Sequence, residues 1–151
     1  MKFAPFSFLS VCLFLLASLF PPAYLSAQTA AVSLPSIHRT FEVPGGGKEV
    51  KVEIVITTPT PVTGFARYAE TLKEGDSATM KANGGSSARF VDGQTKFVWT
   101  SYPGDKEVHI SYILHVKDML VTNYPGKFSY IGDGHVQTVE LPRENSSVIG
   151  Q

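Results

Sequence analysis

Glu49-Val50-Lys51-Val52-Glu53-Ile54-Val55-Ile56-Thr57 alternates apolar and polar side chains, and that period of two decides the class of the chain. Successive side chains of an extended strand point to opposite faces, so Val50, Val52, Ile54 and Ile56 share one face while Glu49, Lys51, Glu53 and Thr57 share the other. Val55 breaks the pattern on the outer face. A strand with one dry and one wet face belongs to an antiparallel sheet, because parallel strands are covered on both sides and read as unbroken apolar runs. The expectation is two such sheets packed face to face.

The same pattern recurs on either side. In Glu107–Val116 the residues Val108, Ile110, Tyr112, Leu114 and Val116 point inward, leaving His109, Ser111 and His115 outside. Asp92-Gly93 and Asp133-Gly134 each stand between apolar runs, as two-residue hairpin turns with positive φ at both central residues. The first turn folds Ala88–Val91 onto Gln94–Thr100, and the second joins Lys127–Ile131 to His135–Leu141. With Arg39–Val43, Gly64–Leu72 and a weaker strand at Ala78–Ala82, the count is eight or nine strands. Turn signals at intervals of about 8 to 12 residues match a β-sandwich. Pro59 and Pro61 end the second strand. No stretch carries a sustained helical period, and there are no internal repeats.

The N-terminus reads as a secretory signal. Met1-Lys2 precedes an apolar run from Phe3 to Leu19, and Pro21-Pro22 opens a segment of small residues suited to cleavage after Ala27. A retained anchor is the alternative, since a run of about 17 residues is near the lower limit for a span. The domains are therefore expected as a signal peptide at 1–27, a short leader at 28–36, the sandwich at 37–142 and a polar, frayed tail at 143–151. No membrane span remains after cleavage, and the destination is periplasmic, cell-surface or secreted.

Composition narrows the function classes. Cleavage removes only Lys2 from thirteen basic residues and none of the thirteen acidic ones, leaving a formal charge of −1. Nucleic acid and anionic membranes call for a basic excess that is missing. Cys12, the single cysteine, falls within the signal, so the mature domain has no disulfide, no thiolate nucleophile and no cysteine metal site. Roughly 110 residues suffice for one core without staples.

Catalytic and metal motifs fail on spacing. His109 and His115 share a strand face but stand about 20 Å apart, too far for one ion. His38 and His135 have no supporting carboxylates. Ser77, Ser86, Ser87 and Ser111 lack a nucleophile elbow, while Glu70, Glu74 and Asp76 read as solvated loop charges. Gly45-Gly46-Gly47 and Gly84-Gly85 precede no helix that would complete an anion site. Asp105 and Asp133 belong to no calcium-binding ladder. No enzyme activity, cofactor or metal is expected. The candidate binding surface is aromatic: Tyr102, Tyr124 and Tyr130, with Pro103 and Pro125, fall near loops that a sandwich gathers at its ends. The alternative is that these rings cap the core.

Several segments resemble exported bacterial and archaeal β-sandwich domains of cohesin-like or immunoglobulin-like type. They are Arg39-Thr40-Phe41, Gly64-Phe65-Ala66 with Glu70, Leu72 and Gly75, then Val98-Trp99, Ile110-Ser111-Tyr112, and Gly126 with Phe128. Lys73 departs from the proline expected in that pattern. The resemblance spans nearly the whole mature domain and implies a non-catalytic structural or interaction module outside the cytoplasm. The expected partner is another envelope or extracellular protein, with a small-ligand or glycan binder as one alternative reading and an enzyme of unrecognised type as another. Asp76-Ser77-Ala78 resembles a short bacterial O-glycosylation sequence, which marks Ser77 as a candidate modification site.

Overall fold

The computed structural model describes residues 33–45, 48–104, 106–118 and 122–150. The expected signal peptide, the leader up to residue 32, Cys12 and Asp105 lie outside the described residues. Ten strands follow in order: β1 (Ser36–Glu42), β2 (Glu49–Thr57), β3 (Ala66–Thr71), β4 (Ser77–Met80), β5 (Ser87–Val91), β6 (Gln94–Trp99), β7 (Glu107–His115), β8 (Gly126–Gly132), β9 (His135–Glu140) and β10 (Ser146–Ile149). One turn of 3-10 helix, Arg143–Asn145, precedes β10. No helix among the described residues is long and apolar enough to cross a membrane.

The strands form two five-stranded sheets, which makes the chain the all-β sandwich that its alternation predicts. Sheet A has the order β10-β1-β2-β7-β4 and sheet B the order β5-β6-β3-β8-β9. Every pairing is antiparallel except that of β1 with β10. β2 lies in the middle of sheet A, and its Val50, Val52, Ile54 and Ile56 are fully buried against the opposing sheet. Trp99, Phe97, Tyr68 and Phe128 supply the facing layer from sheet B. Each such side chain stabilises the fold by about 1.5–3 kcal/mol relative to its exposed state.

Both Asp-Gly hairpins form as expected. Asp92 and Gly93 have φ of 52° and 70°, and Asp133 and Gly134 have 52° and 76°. Positive φ at both central residues gives the turn a twist that suits its flanking strands.

Two expectations need correction. The tail expected at 143–151 carries β10, which runs parallel to β1 with Arg39 opposite Ser146 and Glu42 opposite Ile149. This strand has no burial pattern to reveal it, because it is an edge held by polar bonds. Val43 N donates to Ile149 O at 2.9 Å, and Asn145 Nδ2 donates to Ile37 O at 2.9 Å. Ser111, expected outside, is buried. The chain beyond β4 continues along β7 there, with Lys81 N donating to Ser111 O and Ser111 N to Ala82 O.

Candidate binding surface

The strongest charges near the core face inward and are consumed there. Arg39 on β1 and Glu70 on β3 form a salt bridge across the two sheets, with side chains 1% and 0% exposed. Arg39 Nη1 also donates to Tyr124 O at 2.9 Å, and Nη2 donates to Thr122 O at 2.7 Å and Ser146 Oγ at 3.0 Å. On the other side, Tyr112 Oη and Tyr68 Oη donate to Glu70 Oε2 at 3.0 and 3.4 Å. Burial raises the Glu70 carboxyl above its ordinary value, against the opposing pull of Arg39 and the two phenols. Burial, followed by the nearby Glu70 charge, pushes both phenols well above theirs. Both tyrosines are therefore neutral donors at physiological pH.

Asp76 forms a second buried junction, accepting from Tyr124 Oη at 2.7 Å and Lys117 N at 2.9 Å. The reading of Glu70 and Asp76 as solvated loop charges is thus overturned, because partners from other strands and loops replace water. Glu74 is exposed, as expected.

The aromatic surface also needs correction. Tyr102, Tyr124 and Tyr130 are only 3%, 4% and 7% exposed. Tyr102 packs on Trp99 and Phe128 with centroids 5.2 and 5.6 Å away, and Tyr130 stacks on Phe128 at 5.4 Å. Tyr124 sits instead beside Phe41, at 6.3 Å. The rings cap the core in two separate places, since their apolar bodies gain more from burial than from water. Tyr130 Oη keeps a polar contact, donating to Gln137 Oε1 at 2.8 Å.

Ser77 is exposed at the start of edge strand β4, while the neighbouring Asp76 is buried. Ser86 is buried and donates to Asn83 O at 2.6 Å. Gly84 has a positive φ of 54° and its carbonyl accepts from Trp99 Nε1 at 2.7 Å, so it serves packing. No group of three or more metal-ligating side chains occurs among the described residues.

Outward-facing residues divide by sign between the two sheets. On sheet B, register places Arg89 opposite Lys96, Lys96 opposite Ala69, Ala69 opposite Lys127, and Lys127 opposite Glu140. Arg67 lies on the same face of β3, two residues from Ala69. Lys127 is bonded to Glu140 at 2.8 Å. Arg67, Arg89 and Lys96 have no carboxylate partner among the described residues. Like charges directly opposite one another on a sheet destabilise it, so the Arg89–Lys96 pair opposes folding. A hollow of about 260 Å³ beside it is lined by Ser87, Ala88, Arg89 and Val98. At one end of the face, Ile131 pairs with Val136, and both are exposed, at 43% and 75%.

Sheet A carries the opposite sign. Its outer strand positions include Glu42, Glu49, Glu53 and Glu107, with Lys51 as the cation among them. Lys51 pairs with Glu42 at 3.1 Å, His115 with Glu49 at 3.4 Å, and His109 with Glu107 at 2.7 Å and Glu53 at 3.3 Å. Hydrogen bonds to Glu107 and Glu53 raise the His109 imidazole above its ordinary value. The histidines thus meet carboxylates on neighbouring positions instead of each other.

Sequence inspection missed Arg67, Arg89, Lys96 and Lys127 as a group. Each is an ordinary outer-face residue of its own strand, and only the strand order makes them neighbours.

No family model matches the chain, and no curated protein matches it in sequence. Among solved structures, a GH20 exo-β-N-acetylglucosaminidase from Vibrio harveyi aligns over 78% of this chain at 4% identity, with a TM-score of 0.48. The chain spans 18% of that enzyme's length. The chitin-binding domain of a Pyrococcus furiosus chitinase aligns over 70% of this chain and 93% of its own, at 12% identity and a TM-score of 0.46. The seventh ScaB type I cohesin of Pseudobacteroides cellulosolvens aligns over 76% of this chain and 88% of its own, at 11% identity and a TM-score of 0.42.

Proposed function

We propose that this domain is a non-catalytic interaction module, exported to the bacterial envelope or cell surface, that binds another protein through the outer face of sheet B. The observation that carries this reading is the cationic row Arg89–Lys96–Lys127 with Arg67 beside it. Three of its four charges have no partner among the described residues, and two stand directly opposite each other. Such an arrangement opposes folding and is relieved when a surface of opposite sign covers it. The partner surface is therefore acidic.

The experiment is affinity capture of the tagged full-length protein from its host's envelope fraction, run beside an Arg67→Gln, Arg89→Gln, Lys96→Gln variant. The expected result is a stoichiometric acidic partner that wild type holds at low salt and the variant loses, with a mature N-terminus near Gln28. Undiminished capture by the variant, or recovery of a clean monomer from both, would sink the reading.

A further inference from the structure

Resting on that assignment of the sheet B face, we infer that one occupant of it is the outer face of sheet A from a second copy of this chain. The two faces are complementary in charge. On sheet B, Arg67, Arg89, Lys96 and Lys127 against Glu140 leave +3. On sheet A, Glu42, Glu49, Glu53 and Glu107 against Lys51, and against Lys81 where the chain continues past β4 along β7, leave −2 before any charge on the histidines is counted.

The spacings are complementary too. From Arg89 to Lys127 is three strand steps, or about 14 Å across the sheet at about 4.8 Å per step. From Glu49 to Glu53 is four residues along β2, or again about 14 Å at about 3.4 Å per residue. The cations run across their strands and the carboxylates run along theirs, so the two sets align when the sheets cross near a right angle, a known packing of sheet on sheet. Lys51, between the two glutamates, pairs with Glu42 at 3.1 Å and with Glu53 at 3.8 Å.

The two faces are different surfaces on opposite sides of the sandwich, so the contact is head-to-tail. Such contacts need not close and grow into strings. The attraction is between exposed charges, whose screening length falls to about 8 Å at physiological ionic strength and about 3 Å at molar salt.

Sedimentation of protein purified from cells expressing the whole chain tests this directly. Wild type is expected to grow in mass with concentration at low salt and to return to monomer at high salt. Two double variants, Arg89→Gln with Lys96→Gln and Glu49→Gln with Glu53→Gln, are each expected to remain monomeric. Mixed in equal amounts, they are expected to form a 1:1 dimer that grows no further, since each supplies the face that the other lacks. All four positions face solvent, and an unchanged thermal midpoint reports that each variant is folded.

A wild type that stays monomeric at low salt, or a mixture that stays monomeric, overturns the inference. The capture experiment separates the two ideas. If self-association is absent but the basic-face variant still loses an unrelated acidic partner, the second copy is wrong and the binding face stands. If no capture depends on the basic face either, both fall.

Discussion

Arg39 and Glu70 join the two sheets through a salt bridge from which water is excluded. The partners come from β1 and β3, whose inner faces oppose each other across the core. Breaking one side leaves the other charge buried and unpaired, which costs about 3–5 kcal/mol. Arg39→Ala is therefore expected to lower stability by that amount, as measured by chemical denaturation. Replacing both residues with apolar ones, Arg39→Met with Glu70→Leu, is expected to recover part of the loss. The recovery is limited by Tyr68 and Tyr112, which lose their acceptor. Additive losses in the double-mutant cycle would show that the pair is not coupled.

Glu70 also predicts a pH response. Its folded-state pKa lies above its unfolded value, because burial disfavours the carboxylate. The folded state then holds the proton more tightly, so the contribution to stability is fully present below the unfolded pKa and is lost as pH rises through the folded one. Thermal midpoints are expected to fall across that interval in wild type and to be flatter there in Glu70→Gln. An opposite slope difference between the two proteins would reject this direction.

Gly84 tests whether the Gly-Gly turn serves packing. A Cβ there would lie 2.8 Å from the backbone oxygen of His109 and 2.8 Å from Val108 Cγ1, in a residue with φ of 54°. Backbone cannot yield as a flexible side chain does, and the left-handed conformation strains any L-residue. Gly84→Ala is expected to cost about 1–3 kcal/mol, with altered Trp99 fluorescence because Gly84 O holds the indole N–H. Gly85→Ala meets open space and only the strain of its φ, so the milder loss belongs to it. Equal losses would remove the steric explanation.

Tyr124 separates core capping from surface binding. Its hydroxyl donates to buried Asp76 at 2.7 Å, so Tyr124→Phe leaves one carboxylate oxygen short of a donor, a loss of about 1–3 kcal/mol. Partner capture by the folded variant is expected to be unchanged. A variant of native stability that no longer captures its partner would return Tyr124 to the binding surface.

Much of the fold was legible because burial writes itself into a period of two. Glu49–Thr57 is β2 to the residue, and both Asp-Gly turns lie where their dipeptides place them. β10 escaped detection since an edge strand tied by Ser146 and backbone bonds has no apolar face to display. Tyr102, Tyr124 and Tyr130 stand in or near loops, a position that fits a binding surface or a cap on the core equally, because ring burial depends on which strands close over them.

What the sequence by itself determined was the class: strand segments, their inward faces and the hairpins, all set by local side-chain alternation and turn chemistry. What only the tertiary structure decided was which polar residues meet. Arg39 and Glu70 are 31 residues apart, and Arg89, Lys96 and Lys127 become one row through the order β5-β6-β3-β8. No local pattern encodes that order, because it arises from packing the whole set of strands around a shared core.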